Sequence, residues 1–225
     1  MPTPRARSSA TPVTAAPAPP PADGTEAQIL DAAHRVFVRR GTAGARMQEI
    51  ADEAGVNKAL LHYYFRSKDR LAEAVFTRAA AQLLPGLLAI LASDAPLEAK
   101  VERAVAYEVE FLGRNPYLPG YVVGELAHHP ERVRQLVTAV LPGPIDEVRA
   151  RLFGRLREQI DAGARAGTVR PMPAEQFVVN LLALCHFPFA ARPMLETFVG
   201  EAGFEAFLRD RAEELTRYIL HAIRP

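Results

Sequence analysis

The sequence predicts an all-α fold: a small N-terminal three-helix unit carrying a helix-turn-helix, followed by a larger helical body. Three observations predict it. From Thr25 onward every apolar pattern has helical spacing, and no pair of alternating strands and no internal repeat stands out. Gly41 to Lys68, GTAGARMQEIADEAGVNKALLHYYFRSK, reads as a helix, a tight turn and a second helix with an unusual outer face. Near the C-terminus, Phe177–Phe187 and the stripe that begins at Phe204 are apolar over more surface than one packing partner covers.

Taken in order, residues 1–22 are rich in Pro, Ala, Ser and Thr and carry Arg5 and Arg7. Such a segment buries too little apolar surface to offset its ordering entropy, so it reads as a disordered tail or as a basic arm that follows DNA. The first helix spans Thr25–Arg40, with Ile29, Ala33, Val36 and Phe37 on one stripe and Gly41 ending it. The second is Met47–Ala54, in which Met47, Ile50, Ala51 and Ala54 share a face. Gly55 supplies the turn, Val56 plugs the corner, and Asn57 is placed to N-cap the third helix. There Leu61 and Phe65 point inward, while Lys58, Ala59, His62 and Tyr63 face out. A cation, a small residue, an imidazole and a phenol suit base edges lying between phosphate rails.

The span from Thr25 to about Ala79 closely resembles the N-terminal domain of TetR-type transcriptional regulators. The resemblance rests on the leading helix TEAQILDAAHRVFVRRG, the helix-turn-helix MQEIADEAGVNKALLHYYF and the opening SKDRLAEAVF of a fourth helix. It departs from that family's usual pattern at two places. Arg46 stands where Thr or Ser commonly precedes the motif, and His62, Tyr63 and Tyr64 replace the more usual Tyr-Tyr-His or Tyr-Trp-His. The resemblance implies a DNA-binding domain over 23–70 and a ligand-binding and dimerisation domain over 71–225. Its expected DNA-contacting residues are Arg46, Gln48, Lys58, Ala59, Leu60, His62, Tyr63, Tyr64 and Lys68. Lys58, Ala59, Leu60, His62 and Tyr63 are expected to read bases, with Tyr64 and Arg46 nearer the backbone. Lys68, at the start of a helix capped by Ser67, is expected to meet a phosphate.

That fourth helix runs through Leu71, Ala74 and Val75 toward Leu91, with a kink expected at Pro85. Leu97–Leu112 follows, stopping at Asn115-Pro116; then come Tyr117–His128, Pro130–Val140, Pro144–Ala166, Ala174–Phe187 and Phe204–Ile223. In Leu97–Leu112 one acidic residue breaks the apolar face. Glu108 projects into the stripe formed by Val101, Ala104, Val105, Phe111 and Leu112, so it needs either a structural partner or a ligand. Tyr117, Tyr121 and His128 share a face of the next helix, as pocket walls or as ordinary packing. Phe177, Leu181 and Leu184, with Phe204, Leu208, Arg211, Leu215 and Tyr218, are expected to form a four-helix dimer interface, or else to complete the chain's own core. Arg211, amid that stripe, must pair, snorkel or cross to a partner.

Composition excludes several classes. With 225 residues and a net charge of +1, the chain is not polybasic throughout, so DNA affinity must come from a local patch. Its single cysteine, Cys185, permits no intrachain disulfide and fits a reducing cytoplasm. Phe177–Ala191, the longest apolar run, is too short and too interrupted for a bilayer, and the prolines of the N-terminus break any signal-peptide core. No catalytic residue, metal site or cofactor is expected. Cys185 and His186 point about 100° apart on a helix, His128-His129 lacks further zinc ligands, and GTAGAR follows no strand. The expected partners are double-stranded operator DNA, a small-molecule effector and a second copy of the chain. The alternative is a DNA-independent helical dimer that binds a small molecule or protein.

Overall fold

The computed structural model describes residues 22–141 and 143–225, and among them the secondary structure is eleven α-helices. The tail expected over 1–22 lies outside the described residues, apart from Ala22, where the first helix begins. In chain order the helices are α1 Ala22–Gly44, α2 Met47–Ala54, α3 Lys58–Tyr64, α4 Lys68–Leu91, α5 Leu97–Arg114, α6 Leu118–His128, α7 Pro130–Ala139, α8 Ile145–Arg165, α9 Ala174–Ala190, α10 Arg192–Val199 and α11 Glu201–Ala222.

Two cores form, and α4 belongs to both. The first gathers Ile29, Ala33, Val36 and Phe37 of α1, Ile50, Ala51 and Ala54 of α2, Leu61 and Phe65 around α3, and Leu71, Val75 and Phe76 from the first half of α4. Tyr117, Leu118 and Leu136 from the larger body close it from beneath. The second core takes Leu87 and Leu91 from the far end of α4, Val101, Ala104 and Val105 of α5, Leu156 and Ile160 of α8, Phe177 and Leu181 of α9, and Leu215 and Ile219 of α11. A boundary drawn at residue 70 therefore meets a continuous rod that is packed at both ends. An 18-residue window of α4 has a mean hydropathy of 1.6, enough by length and composition to cross a membrane, but its apolar positions are spent on these two cores.

Helix α4 continues through Pro85 as one helix to Leu91. Several expectations change. Helix α9 extends past Phe187 to Ala190 with Pro188 inside it, and α10, absent from the sequence reading, fills the gap before α11. A larger correction concerns the dimer face. Phe177, Leu181, Phe204 and Leu215 are buried within the chain's own core, so their side chains are not available to a partner. Leu184, Leu208 and Arg211 lie only partly covered and Tyr218 is 63% exposed, joined on the outer face by Val179, Phe187 and Phe207. Periodicity had correctly identified apolar faces; it did not separate the inward half from the outward half.

Candidate nucleic-acid interface and ligand site

The helix-turn-helix is built by caps and plugs within a short stretch. Asn57 Oδ1 accepts from the Leu60 N–H at 2.7 Å and starts α3. Gly55 adopts φ 65°, ψ 25° and sends its N–H back to Ala51 O and Asp52 O, closing α2 in the left-handed conformation that glycine takes without strain. Gln28 of α1 donates to Ala54 O at 2.7 Å, tying the same corner to the first helix. Arg35 and Arg39 both grip Glu53, at 2.6 and 2.7 Å, holding α2 against α1 and keeping the Glu53 carboxyl below its usual range.

With Leu61 wholly buried underneath, α3 presents its opposite face outward. Lys58, Ala59 and His62 are exposed, Tyr63 is 77% exposed, and Leu60 is partly covered. Tyr64 turns away from Tyr63, edge to face with it, and packs against the first core, so its ring supports α3 more than it reaches outward. Arg46 and Gln48 are exposed at the start of α2, with Gln48 donating to Asp52 at 2.8 Å. Among the described residues Arg46, Lys58 and Arg66 form no ion pair, whereas Arg35, Arg39 and Arg40 are neutralised by Glu53 and Glu49. Arg66, exposed directly after α3, is a further unpaired cation that the sequence reading did not single out; its position beside that helix was the available signal.

Lys68 opens α4 directly after the Ser67 cap. Its ammonium donates to Ala43 O at 3.0 Å and Ala45 O at 3.3 Å, clamping the end of α1 to the start of α4. The side chain faces a cleft of about 530 Å³ whose other wall is α6 and the start of α7.

The four expected ligand residues do not share one cavity. Tyr121 and His128 line that cleft together. The Tyr121 hydroxyl is buried with no hydrogen-bond partner among the described residues, and burial, reinforced by Glu125, pushes its pKa up to about 12, so it is a neutral donor. Tyr117 instead joins the first core, sharing a 3.0 Å hydrogen bond with His34 of α1. Burial, with the nearby Arg78 charge, lowers the His34 pKa from 6.5. Glu108 is fully buried against α9, where His186 Nε2 donates to its Oε2 at 2.8 Å and its Oε1 has no partner among the described residues. So the partner that its burial demanded is a histidine 78 residues away. Cys185 is buried beside this pair, its thiol pushed up to about 12 by desolvation, a poor nucleophile. Arg211 donates to Leu184 O at 2.7 Å and lays its guanidinium over Phe207 at 5.1 Å.

Comparison with known proteins agrees with this geometry. Residues 29–75 match the family described as bacterial regulatory proteins, tetR family. The HTH-type transcriptional repressor SCO4008 of Streptomyces coelicolor is 26% identical over 208 residues, covering 88% of this chain and 96% of that protein. The HTH-type transcriptional repressor Rv3405c of Mycobacterium tuberculosis is 35% identical over 126 residues, covering 56% and 64%. In fold the chain is similar to a TetR/AcrR-family regulator from Thermobifida fusca, with a TM-score of 0.57 at 18% identity, covering 90% of this chain and 100% of that one. The capped helix-turn-helix with its exposed outer face falls within the matched residues, and the helical body beyond it has counterparts along nearly the whole length of SCO4008. The helix-turn-helix domain of this chain thus matches the tetR family of bacterial regulatory proteins, and most of the chain's length is similar to an HTH-type transcriptional repressor.

Proposed function

We propose that this regulator is a cytoplasmic repressor that binds a near-palindromic operator as a homodimer and is released by a small-molecule effector. The observation that carries the reading is α4. One rod is packed into the helix-turn-helix core at its start and into the larger core at its end, so a displacement in the body is delivered to the DNA-reading unit. A two-fold dimer sets two copies of α3 about 34–36 Å apart, one major-groove turn, and that spacing requires an operator of matching symmetry. An effector that favours a differently spaced conformer must, by linkage, weaken DNA binding.

On this reading Lys58, Ala59, His62 and Tyr63 read base edges, Leu60 gives an apolar contact, and Arg46, Gln48 and Arg66 hold phosphates. The exposed stripes of α9 and α11 supply the dimer contact. No enzymatic step is part of the reading. It is tested with DNA from upstream of the protein's own coding region. A retarded species with one dimer per two-half-site fragment, bound far more tightly than a single half-site, supports it. Sedimentation as a monomer at concentrations that saturate this DNA counts against it, and small-molecule or protein binding with no DNA affinity would favour the helical binding module.

A further inference from the structure

The cleft between α4 and α6–α7 joins the two bodies that an effector must uncouple. Ala43, Lys68, Asp69 and Ala72 come from the DNA-reading side; Gly120, Tyr121, Gly124, Glu125, His128 and Arg132 come from the other. Its charges are unequally answered. Arg132 and Glu125 pair at 3.0 Å, and Glu73 nearby pairs with Arg70 at 3.1 Å. Asp69 is exposed at the rim, in the first turn of α4, where a carboxylate answers the helix N-terminus. Among the described residues the Lys68 ammonium, by contrast, touches only neutral carbonyl oxygens, and the buried Tyr121 hydroxyl has nothing to donate to. His128 Nδ1 donates to Gly124 O at 2.9 Å, which fixes that proton and turns Nε2 away from the backbone. A partly bonded ammonium and an unspent hydroxyl in one cleft call for an acceptor that carries negative charge.

The floor sets the shape. Gly120 and Gly124 stand one turn apart on α6, and a side chain built on either would meet no atom within 4 Å. With Ala72 opposite, this leaves a flat strip beside the Tyr121 ring, itself braced at 5.5 Å by Phe76. We propose that this cleft binds a small planar organic carboxylate, its charged end on Lys68 and the Tyr121 hydroxyl, and that occupancy loosens the seat of the DNA-reading unit. The proposal rests on the effector-responsive reading above and gives it a place and a sign of charge. A carboxylate makes a stronger acceptor for an ammonium than an amide carbonyl does. Binding therefore competes for the Lys68 protons now held by Ala43 O and Ala45 O, the carbonyls at the junction of α1 and α2. When they lose that clamp, the reading unit loses one of its fixed points on α4.

Benzoate is a suitable probe, with benzamide and benzylamine as neutral and cationic counterparts, titrated into the full chain with and without upstream DNA. Benzoate should bind at least about tenfold more tightly than either counterpart, since the difference is one charge-assisted contact. Tyr121→Phe, which keeps the ring, should weaken benzoate about tenfold while operator affinity stays within about twofold. Gly124→Leu, which fills the floor, should remove binding. The site is overturned if benzylamine binds as well as benzoate, if Tyr121→Phe and Gly124→Leu leave benzoate affinity unchanged, or if none of the three binds at about 50 mM, weaker than roughly 2 kcal/mol. The last result leaves an effector elsewhere in the body untouched. Benzoate binding that follows Tyr121 and Gly124 yet leaves operator affinity unaltered overturns the coupling instead, and with it this cleft as the effector site.

Discussion

Tyr63 and Tyr64 are adjacent and chemically alike, yet the fold gives them opposite work. Tyr63 stands 77% exposed on the outer face of α3, while Tyr64 leans on the core beneath. Tyr63→Ala should therefore cost operator binding about 1–3 kcal/mol at one base position and relax preference there, with the melting temperature unchanged. Tyr64→Ala should lower the melting temperature as well. Arg46→Ala should weaken all sequences alike and reduce the salt dependence by about one unit of slope, measured by fluorescence anisotropy across a salt series. Glu108 illustrates the limit of reading single residues. Its place on an apolar stripe showed that it must be buried and answered, but nothing local pointed to His186, because the pairing is made by two helices meeting side by side. His186→Ala should strand the carboxylate and cost about 1–3 kcal/mol of stability. Effector release should be unchanged, since Glu108 is wholly buried and answered by His186; a release curve that shifts with this variant would restore Glu108 as a ligand anchor.

At the scale of elements, what was legible was what is decided within about one turn of chain. The Asn57 cap, the Gly55 turn and the Ser67 cap, which accepts from Arg70 N–H at 3.2 Å, are each made by residues three or four apart. Asn57→Ala should accordingly cost about 1 kcal/mol, visible in chemical denaturation. Helix α10 went unread because RPMLETFV has no buried residue and lies between a proline-containing helix end and Gly200, which turns the chain at φ 74°. Its direction is set by the ion pairs of Arg192 with Glu196 and Glu205, both at 2.7 Å, the second of them thirteen residues away. The junction of α1 with the body was equally invisible, since His34 and Tyr117 are 83 residues apart in sequence. That junction has a pH signature. The folded His34 pKa lies below the unfolded 6.5, so the unfolded chain binds more protons, and stability falls as pH drops from about 6.5 through the folded value. His34→Gln, which can keep a bond to Tyr117, should flatten the melting temperature over that range; an unchanged slope would assign the loss to other groups.

For the whole molecule, the proposed homodimer raises the question of which apolar surface would meet a second copy. A single sequence reports that a helix has two apolar faces but not which one its own chain covers. Here Phe177, Leu181, Leu215 and Ile219 are spent inside. What remains on α9 is Val179, Ala183, Leu184 and Phe187 at helical spacing, and on α11 Phe207, Arg211 and Tyr218, with a groove of about 330 Å³ between the two helices. Exposed Phe187 and Tyr218, at 56% and 63%, are large anchors of the type that dominates interface energetics. Two such faces related by a two-fold would close a four-helix bundle, in which each residue meets its symmetry-related counterpart and every substitution acts twice. Phe187→Asp should therefore weaken self-association by far more than one contact, because it brings two carboxylates together in the apolar centre of the bundle. Analytical ultracentrifugation should show a monomer at concentrations where the unmodified chain is a dimer. Circular dichroism should keep its helical signal, since the side chain is outside the core. Operator affinity should fall toward that of a single half-site, with the base preferences of each half retained. A variant that remains a dimer would place the two-fold contact on another face, and the operator spacing would then have to be derived from that face instead.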